Sequence, residues 1–270
     1  MLRWQWVAIG YFSYLAITAL VRQRHGRGRW PALAAAVLGW SLLAISPAQD
    51  PRSRHLAVAV TSFVALTALL GGYWISGLFF VKPMTGVENR LLRTDAALLH
   101  RSRLLALYYS SPRLVQHYFE LAYLLVYLVV PVGAAVLAAG GHGREIGYFW
   151  TVVLLAAYAS YGVLPWIQTR PPRALGGEDE PPRTALRRFN LAILSRSSIQ
   201  VNTIPSGHAA CAVATALAVG ALMPVAGAVL LVVAASITTA TVLGRYHYVM
   251  DSILGVLVGV GAWVLVTFLA

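Results

Sequence analysis

Cysteine is almost missing from this chain: Cys211 is the only one in 270 residues. No internal disulfide is therefore possible, and the redox compartment leaves no mark on the sequence. Charge is scarce too. Only 11% of residues are Asp, Glu, Lys or Arg, against roughly 25% in soluble domains, and nine are acidic. No stretch between the apolar runs is long enough for a soluble domain, and no heptad or longer repeat stands out. No RNA- or DNA-binding signature is present, so nucleic acid is not an expected partner. The absence of a G-x-S-x-G elbow argues against a serine hydrolase using Ser206 with His247 and Asp251. No small-residue cleavage pattern follows the first apolar run. The basic RQRHGRGR follows instead, so a retained transmembrane helix is expected rather than a signal peptide.

Apolar residues are what the chain has in quantity. They make up 59% of it, and the mean hydropathy is +0.69. Soluble proteins carry about 45–50%. The composition thus implies an integral membrane protein, all-α, folded as one polytopic helix bundle. A spanning helix needs about 20 apolar residues. Eight segments are expected to cross: 4–21, 30–46, 56–81, 118–140, 146–166, 206–223, 225–244 and 248–270. The intervening 82–117 carries Leu91, Leu98 and Leu105 at seven-residue spacing among Arg93, His100, Arg101 and Arg103. That pattern predicts a basic amphipathic helix in the membrane interface, ended near Pro112. Residues 167–205 read as a Pro- and Gly-rich, then basic, loop. Its acidic GEDE reads as a solvated turn rather than a metal site.

The net charge is +12. In so apolar a chain it bears on topology and on anionic lipid or phosphate partners. Of the Lys and Arg residues, seventeen fall on the face reached after segments 1, 3, 5 and 7, and four on the other. The positive-inside rule places the seventeen in the cytoplasm, with the chain in the plasma (inner) membrane.

Three polar groups interrupt the apolar pattern on that same basic face: RPPR from Arg170 to Arg173, PSGH from Pro205 to His208, and GRYHYVMD from Gly244 to Asp251. Two crossings separate His208 from His247, so the chain returns to the side it left. Arginine forks match phosphate oxygens. Ser206 and Gly207 open a helix, where free N–H groups and the dipole attract an anion, and glycine allows close approach. His247 and Asp251 are four apart at a helix start and share a face. A carboxylate so placed fixes the imidazole tautomer and leaves the other nitrogen as a nucleophile. His208 has no local acid and suits proton donation better than attack. Asp251 lies within an apolar span, where an ionisable residue is a functional candidate.

PSGH followed by HYxxD resembles the second and third signatures of the type 2 phosphatidic acid phosphatase superfamily. LPWIQTRPPRAL resembles the proline-rich first signature of its inositol-phosphorylceramide-synthase-like branch. The resemblance implies a core of six helices over 56–270, with two further transmembrane helices in 1–55. It implies that His247 attacks phosphorus to form a phosphohistidine, that Asp251 orients it, and that His208 protonates the leaving oxygen. Arg170, Arg173, Ser206, Gly207 and Arg245 would hold the phosphate. No metal or other cofactor is implied. Two positions depart from the family pattern. Val163 stands where the first signature usually has lysine, with Arg173 as a substitute. Thr241 stands where the third signature usually has arginine, with Arg245 about one turn away. Such enzymes usually work on the extracytoplasmic face, against the charge bias. Glu120, near the start of segment 4 on the basic face, is a candidate contact for a substrate head group, and equally an interfacial charge or a partner for one of the phosphate-holding arginines.

The expected activity is a lipid phosphatase acting on a phosphorylated lipid. A phosphotransferase passing the group to an alcohol such as inositol or a lipid is the alternative. A non-catalytic phospholipid-binding or transport protein is the third reading, which the pair of histidines argues against. The lipid and the oligomeric state are not legible.

Overall fold

The computed structural model describes residues 2–22, 29–44, 54–176 and 181–268. The GEDE segment and most of the basic 22–29 stretch lie outside these. Among the described residues the architecture is all-helical, without a strand, and the chain is an integral membrane protein. The helices are α1 (Arg3–Arg22), α2 (Arg29–Ala44), α3 (Arg54–Gly77), α4 (Thr85–Asp95), α5 (Leu104–Tyr109), α6 (Arg113–Leu124), α7 (Val126–Ala139), α8 (Ile146–Tyr161), α9 (Ala185–Ser197), α10 (Gly207–Gly220), α11 (Pro224–Leu243) and α12 (Val249–Phe268).

Each of the eight apolar segments is helical, but eight full-length crossings are not seen. Four helices, α1, α3, α11 and α12, are long and apolar enough to span; α6 with α7 makes a fifth if the bent pair is one span. The other three, α2, α8 and α10, have 16, 16 and 14 residues, short of the usual 20 or so.

α8 is the axis of the bundle. Phe149, Trp150, Val152, Val153, Leu154, Ala156 and Ala157 are all buried around it, as expected of a helix apolar on every side. α1 joins this core by stacking Tyr11 on Tyr158 at 4.0 Å. α10 is built largely of alanine, and α11 and α12 close on it through glycines. A Cβ on Gly227 would lie 2.2 Å from the Gly220 Cα, and one on Gly255 2.5 Å from the Ser206 carbonyl oxygen. Such close backbone approach is how helices gain packing energy where no water is expelled.

Three local expectations are corrected. The single span over 118–140 breaks at Leu125, with a 60° bend between α6 and α7. α6 buries the polar Gln116 and Glu120, while α7 buries only apolar residues and glycine; one straight rod cannot serve both surroundings. The amphipathic helix of 82–117 is segmented. A π-helical turn, Ala96–His100, follows α4, and Arg103 in the left-handed region (φ 58°) separates it from α5. Its inward face carries buried Glu88 and Asp95 beside buried Leu99 and Leu105, so ion pairs as well as leucines hold it. Finally, the 167–205 loop contains α9, which the sequence reading missed. Thr184 caps it, its hydroxyl oxygen accepting from the Arg187 N–H at 3.0 Å.

Candidate active site

The segment Gly244–Tyr248 turns the chain from α11 into α12. It is tied down by the Thr241 carbonyl, which accepts from the N–H groups of both Tyr246 and His247 at 2.9 Å. Arg245 takes a left-handed conformation (φ 58°) to make the turn. Asp251, fully buried in the first turn of α12, accepts from the Tyr248 N–H at 3.0 Å and from the Asn202 amide at 2.8 Å through Oδ2. The same Oδ2 lies 3.5 Å from His247 Nδ1.

The PSGH turn reaches this point from α10. Ser206 N–H donates to the Asp251 carbonyl at 2.8 Å, which registers α10 against α12. His208, in the first turn of α10, then places Nδ1 3.0 Å from His247 Nε2. The chain Asp251–His247–His208 thus runs through three side chains separated by up to 43 positions in sequence. Burial, and then the positive charge of Arg173, push the His247 imidazole down to about 3. It is neutral near pH 7, with Nε2 turned toward His208.

The arginines divide into two kinds. Arg170 is forked onto Glu88, donating from Nε at 3.1 Å and Nη2 at 2.9 Å, and its backbone N–H also donates to Glu88 Oε1 at 2.7 Å. Arg170 holds the Glu88 carboxyl below its usual range. Arg245 is buried and donates to Asp95 at 2.6 Å; burial nonetheless pushes the Asp95 carboxyl up. Arg173 is different. Its Nη1 donates to the Tyr246 carbonyl at 3.3 Å, beside His247, and it meets no carboxylate among the described residues. Ser206 Oγ caps α10 by accepting from Ala209 N–H, and Gly207 N–H donates to the Thr203 hydroxyl. These groups are thus spent within the protein in the structure at hand.

Glu120 is closed off from any open space. It is buried, and it accepts from Arg187 Nη1 at 3.0 Å and from the Tyr246 hydroxyl at 2.7 Å, with the Asn190 amide on the same carboxylate. The arginine it meets is Arg187, not one of the expected phosphate-holding arginines Arg170, Arg173 and Arg245. Sequence reasoning did not find Asn202, Glu88, Asp95, Arg187 or Tyr246. The spacing of Glu88 and Asp95, seven apart in a basic helix, was the available signal.

Two openings lie on this side of the bundle, and one of them reaches His208. An apolar groove of about 320 Å³ runs between α3, α7 and α8 to Gly207 and His208, past Tyr73, Tyr127 and Tyr161. A basic cavity of about 670 Å³ lies on the loop side, against Arg173 and Arg245.

A model of the PAP2 superfamily, the type 2 phosphatidic acid phosphatases that the motifs resemble, matches residues 89–265. The chain belongs to the PAP2 superfamily. The match covers about two-thirds of the chain and includes RPPR, PSGH and HYVMD, leaving α1 to α3 outside it. Neither the curated proteins nor the solved structures contain a match to it. PAP2 membership supports a phosphatase- or phosphotransferase-type activity in the membrane.

Proposed function

We propose that this PAP2 protein is a membrane lipid phosphatase that works through a phosphohistidine on His247. The observation that carries the reading is the line of Asp251, His247 and His208 at the end of an apolar groove. The groove is the support for a lipid substrate: an acyl or prenyl chain lies in it while the phosphate meets the histidines.

In the first step His247 Nε2 forms a bond to phosphorus and the ester P–O bond breaks. His208 gives its proton to the leaving oxygen, and Asp251 accepts the His247 Nδ1–H and stabilises its charge. In the second step water attacks the phosphohistidine, the N–P bond breaks, and His208 takes the proton from water. Arg173 lies where negative charge grows on the phosphoryl oxygens. A near-attack nitrogen sits about 3–3.5 Å from its target atom, so the imidazoles, 3.0 Å apart at rest, must part to admit phosphorus. The phosphate-binding roles of Arg170, Arg245, Ser206 and Gly207 then require exchange of their present partners for phosphate oxygens. The mechanism routes no step through a metal.

Transfer to an alcohol is the second reading. RPPR and the breadth of the basic cavity favour it, since an acceptor needs a polar pocket of its own. The test is phosphate release from a panel of lipid phosphates in the presence and absence of polyols, inositol included. Wild type should release phosphate, His247→Ala should release none, and His208→Ala should be slower by about 10²–10⁴-fold. Full activity in His247→Ala would refute the mechanism, and a phosphodiester formed at the expense of free phosphate would replace hydrolysis by transfer.

A further inference from the structure

The proposed reaction leaves a largely apolar cavity unused. It holds about 400 Å³ between α3, α7 and α8, at the end of the bundle away from the histidines, and reaches His55, Gly141 and Gly143. Trp150 of α8 forms its back wall and donates from Nε1 to Ser62 Oγ of α3 at 3.1 Å. α7 contributes Pro131, Ala134, Ala135 and Ala138. Side chains this small leave the space between the helices open.

Leu66 and Pro131 wall this cavity, and they also wall the groove of about 320 Å³ that ends at His208. The two spaces are therefore halves of one path along α3. On that helix the wall advances three or four residues at a step, through Ala59, Ser62, Leu66, Leu69 and Tyr73, the spacing of a single helix face. Among the described residues, no Asp, Glu, Lys or Arg lines either half. From His55 to Tyr73 a helix rises about 27 Å. The whole hydrocarbon core is about 30 Å thick, so a chain anchored in one leaflet has about 15 Å to fill. The path is longer than one leaflet is deep.

We propose that this path gauges tail length: one chain of the substrate lies along it from His208 past Leu66 toward His55, which favours a lipid phosphate whose chain is longer than one leaflet is deep. The proposal rests on the histidine reading for the position of the phosphate. Continuity with the groove at His208 is what assigns the far half to the substrate's own tail. Leu66, at the join, decides how much of the chain is held. A tail that leaves lipid for the path was already in hydrocarbon, so the gain is packing against fixed walls rather than hydrophobic transfer. The preference is accordingly modest.

The test supplies hexyl, hexadecyl and docosyl phosphate to the full-length protein at a fixed surface fraction in mixed micelles, and measures kcat/KM for each. In wild type it should rise from hexyl to hexadecyl and again to docosyl. Leu66→Trp blocks the join. It should leave hexyl phosphate unchanged and lower docosyl phosphate by about three- to tenfold, the scale of packing without hydrophobic transfer. Ala135→Phe narrows the far half alone and should lower docosyl phosphate only. Tail position is also read without turnover. Docosyl phosphate with a diazirine at the chain end is photolysed on His247→Gln protein, and the adducts are mapped by mass spectrometry. They should fall on α3 and α7 between Leu66 and the His55 end, disappear in excess docosyl phosphate, and move elsewhere in a protein that also carries Leu66→Trp. Adducts spread over the outer surface of the bundle would overturn the proposal. So would a plateau already reached at hexadecyl phosphate, or docosyl turnover that neither variant lowers more than hexyl turnover. A failure of the histidine mechanism would show instead as hexyl phosphate turnover in His247→Ala, leaving the adduct pattern as it is.

Discussion

His247 is held neutral by its surroundings rather than by its own chemistry. Burial is the larger cause and Arg173 the second, and together they hold its imidazole at about 3 instead of near 6.5. His208, Asp251 and Arg173 are the titratable or charged groups around it. Between those two values the unfolded chain binds a proton that the folded chain does not. The contribution to stability is thus complete above about pH 6.5 and declines as the pH falls toward 3. The midpoint of thermal unfolding in detergent should drop between pH 7 and pH 5 in wild type, and by less in His247→Gln. Equal drops in the two proteins would remove His247 as the cause. The nearness of His247 to Asp251 was readable from their spacing, but not its form: α12 begins only at Val249, so His247 reaches Asp251 from the turn before the helix and not from a shared helical face. Asn202 was not readable: its amide reaches Asp251 across 49 positions, and no periodicity links the two. Nor could the sequence show that Arg170 and Arg245 arrive with carboxylates already in their forks.

At the scale of elements, the distance between the histidines is set by how closely α12 lies on α10. Gly255 is the seam. Its missing side chain lets the Ser206 carbonyl come where a Cβ would be 2.5 Å away. Gly255→Ala must push the start of α10 outward, and with it His208. Overpacking of this kind costs about 1–3 kcal/mol. We expect that loss in stability together with a fall in turnover of tenfold or more. Gly261→Ala is the control on the same helix, since nothing lies within 4 Å of its added methyl, and it should change neither. Similar turnover in the two variants would mean that helix contact does not set the histidine gap. The eight apolar segments were legible as helices because hydropathy alone marks them. The bend at Leu125 was not, because the buried polar contacts of Glu120 with Arg187 and Asn190 form only once distant parts of the chain meet; the start of α9 was signalled locally by Thr184, three residues before Arg187, and was overlooked in a loop rich in proline.

For the whole molecule, the helical bundle was legible from hydropathy; His208 and His247 do meet at one end, 3.0 Å apart, although α10, at 14 residues, is short of the full crossing on which that expectation was counted. Which face that is depends on two opposed arguments, the distribution of positive charge and the habit of the superfamily. The charge bias, seventeen to four, favours the cytoplasm. A cysteine placed as Gly26→Cys, with Cys211→Ser to remove the native thiol, should resist an impermeant thiol reagent in intact cells and react after permeabilisation. Labelling of intact cells would reverse the assignment. The two openings, one reaching His208 and the other Arg173 and Arg245, have one further consequence for the proposed hydrolysis. Cleavage turns one amphiphile into two products of opposite solubility, and each has its own exit. The dephosphorylated lipid returns through the apolar groove to the bilayer, and inorganic phosphate leaves through the arginine-lined cavity to water. Neither product has to wait for the other. Back-pressure on the enzyme accordingly comes from two separate reservoirs, the surface density of lipid in the membrane and the concentration of phosphate in solution.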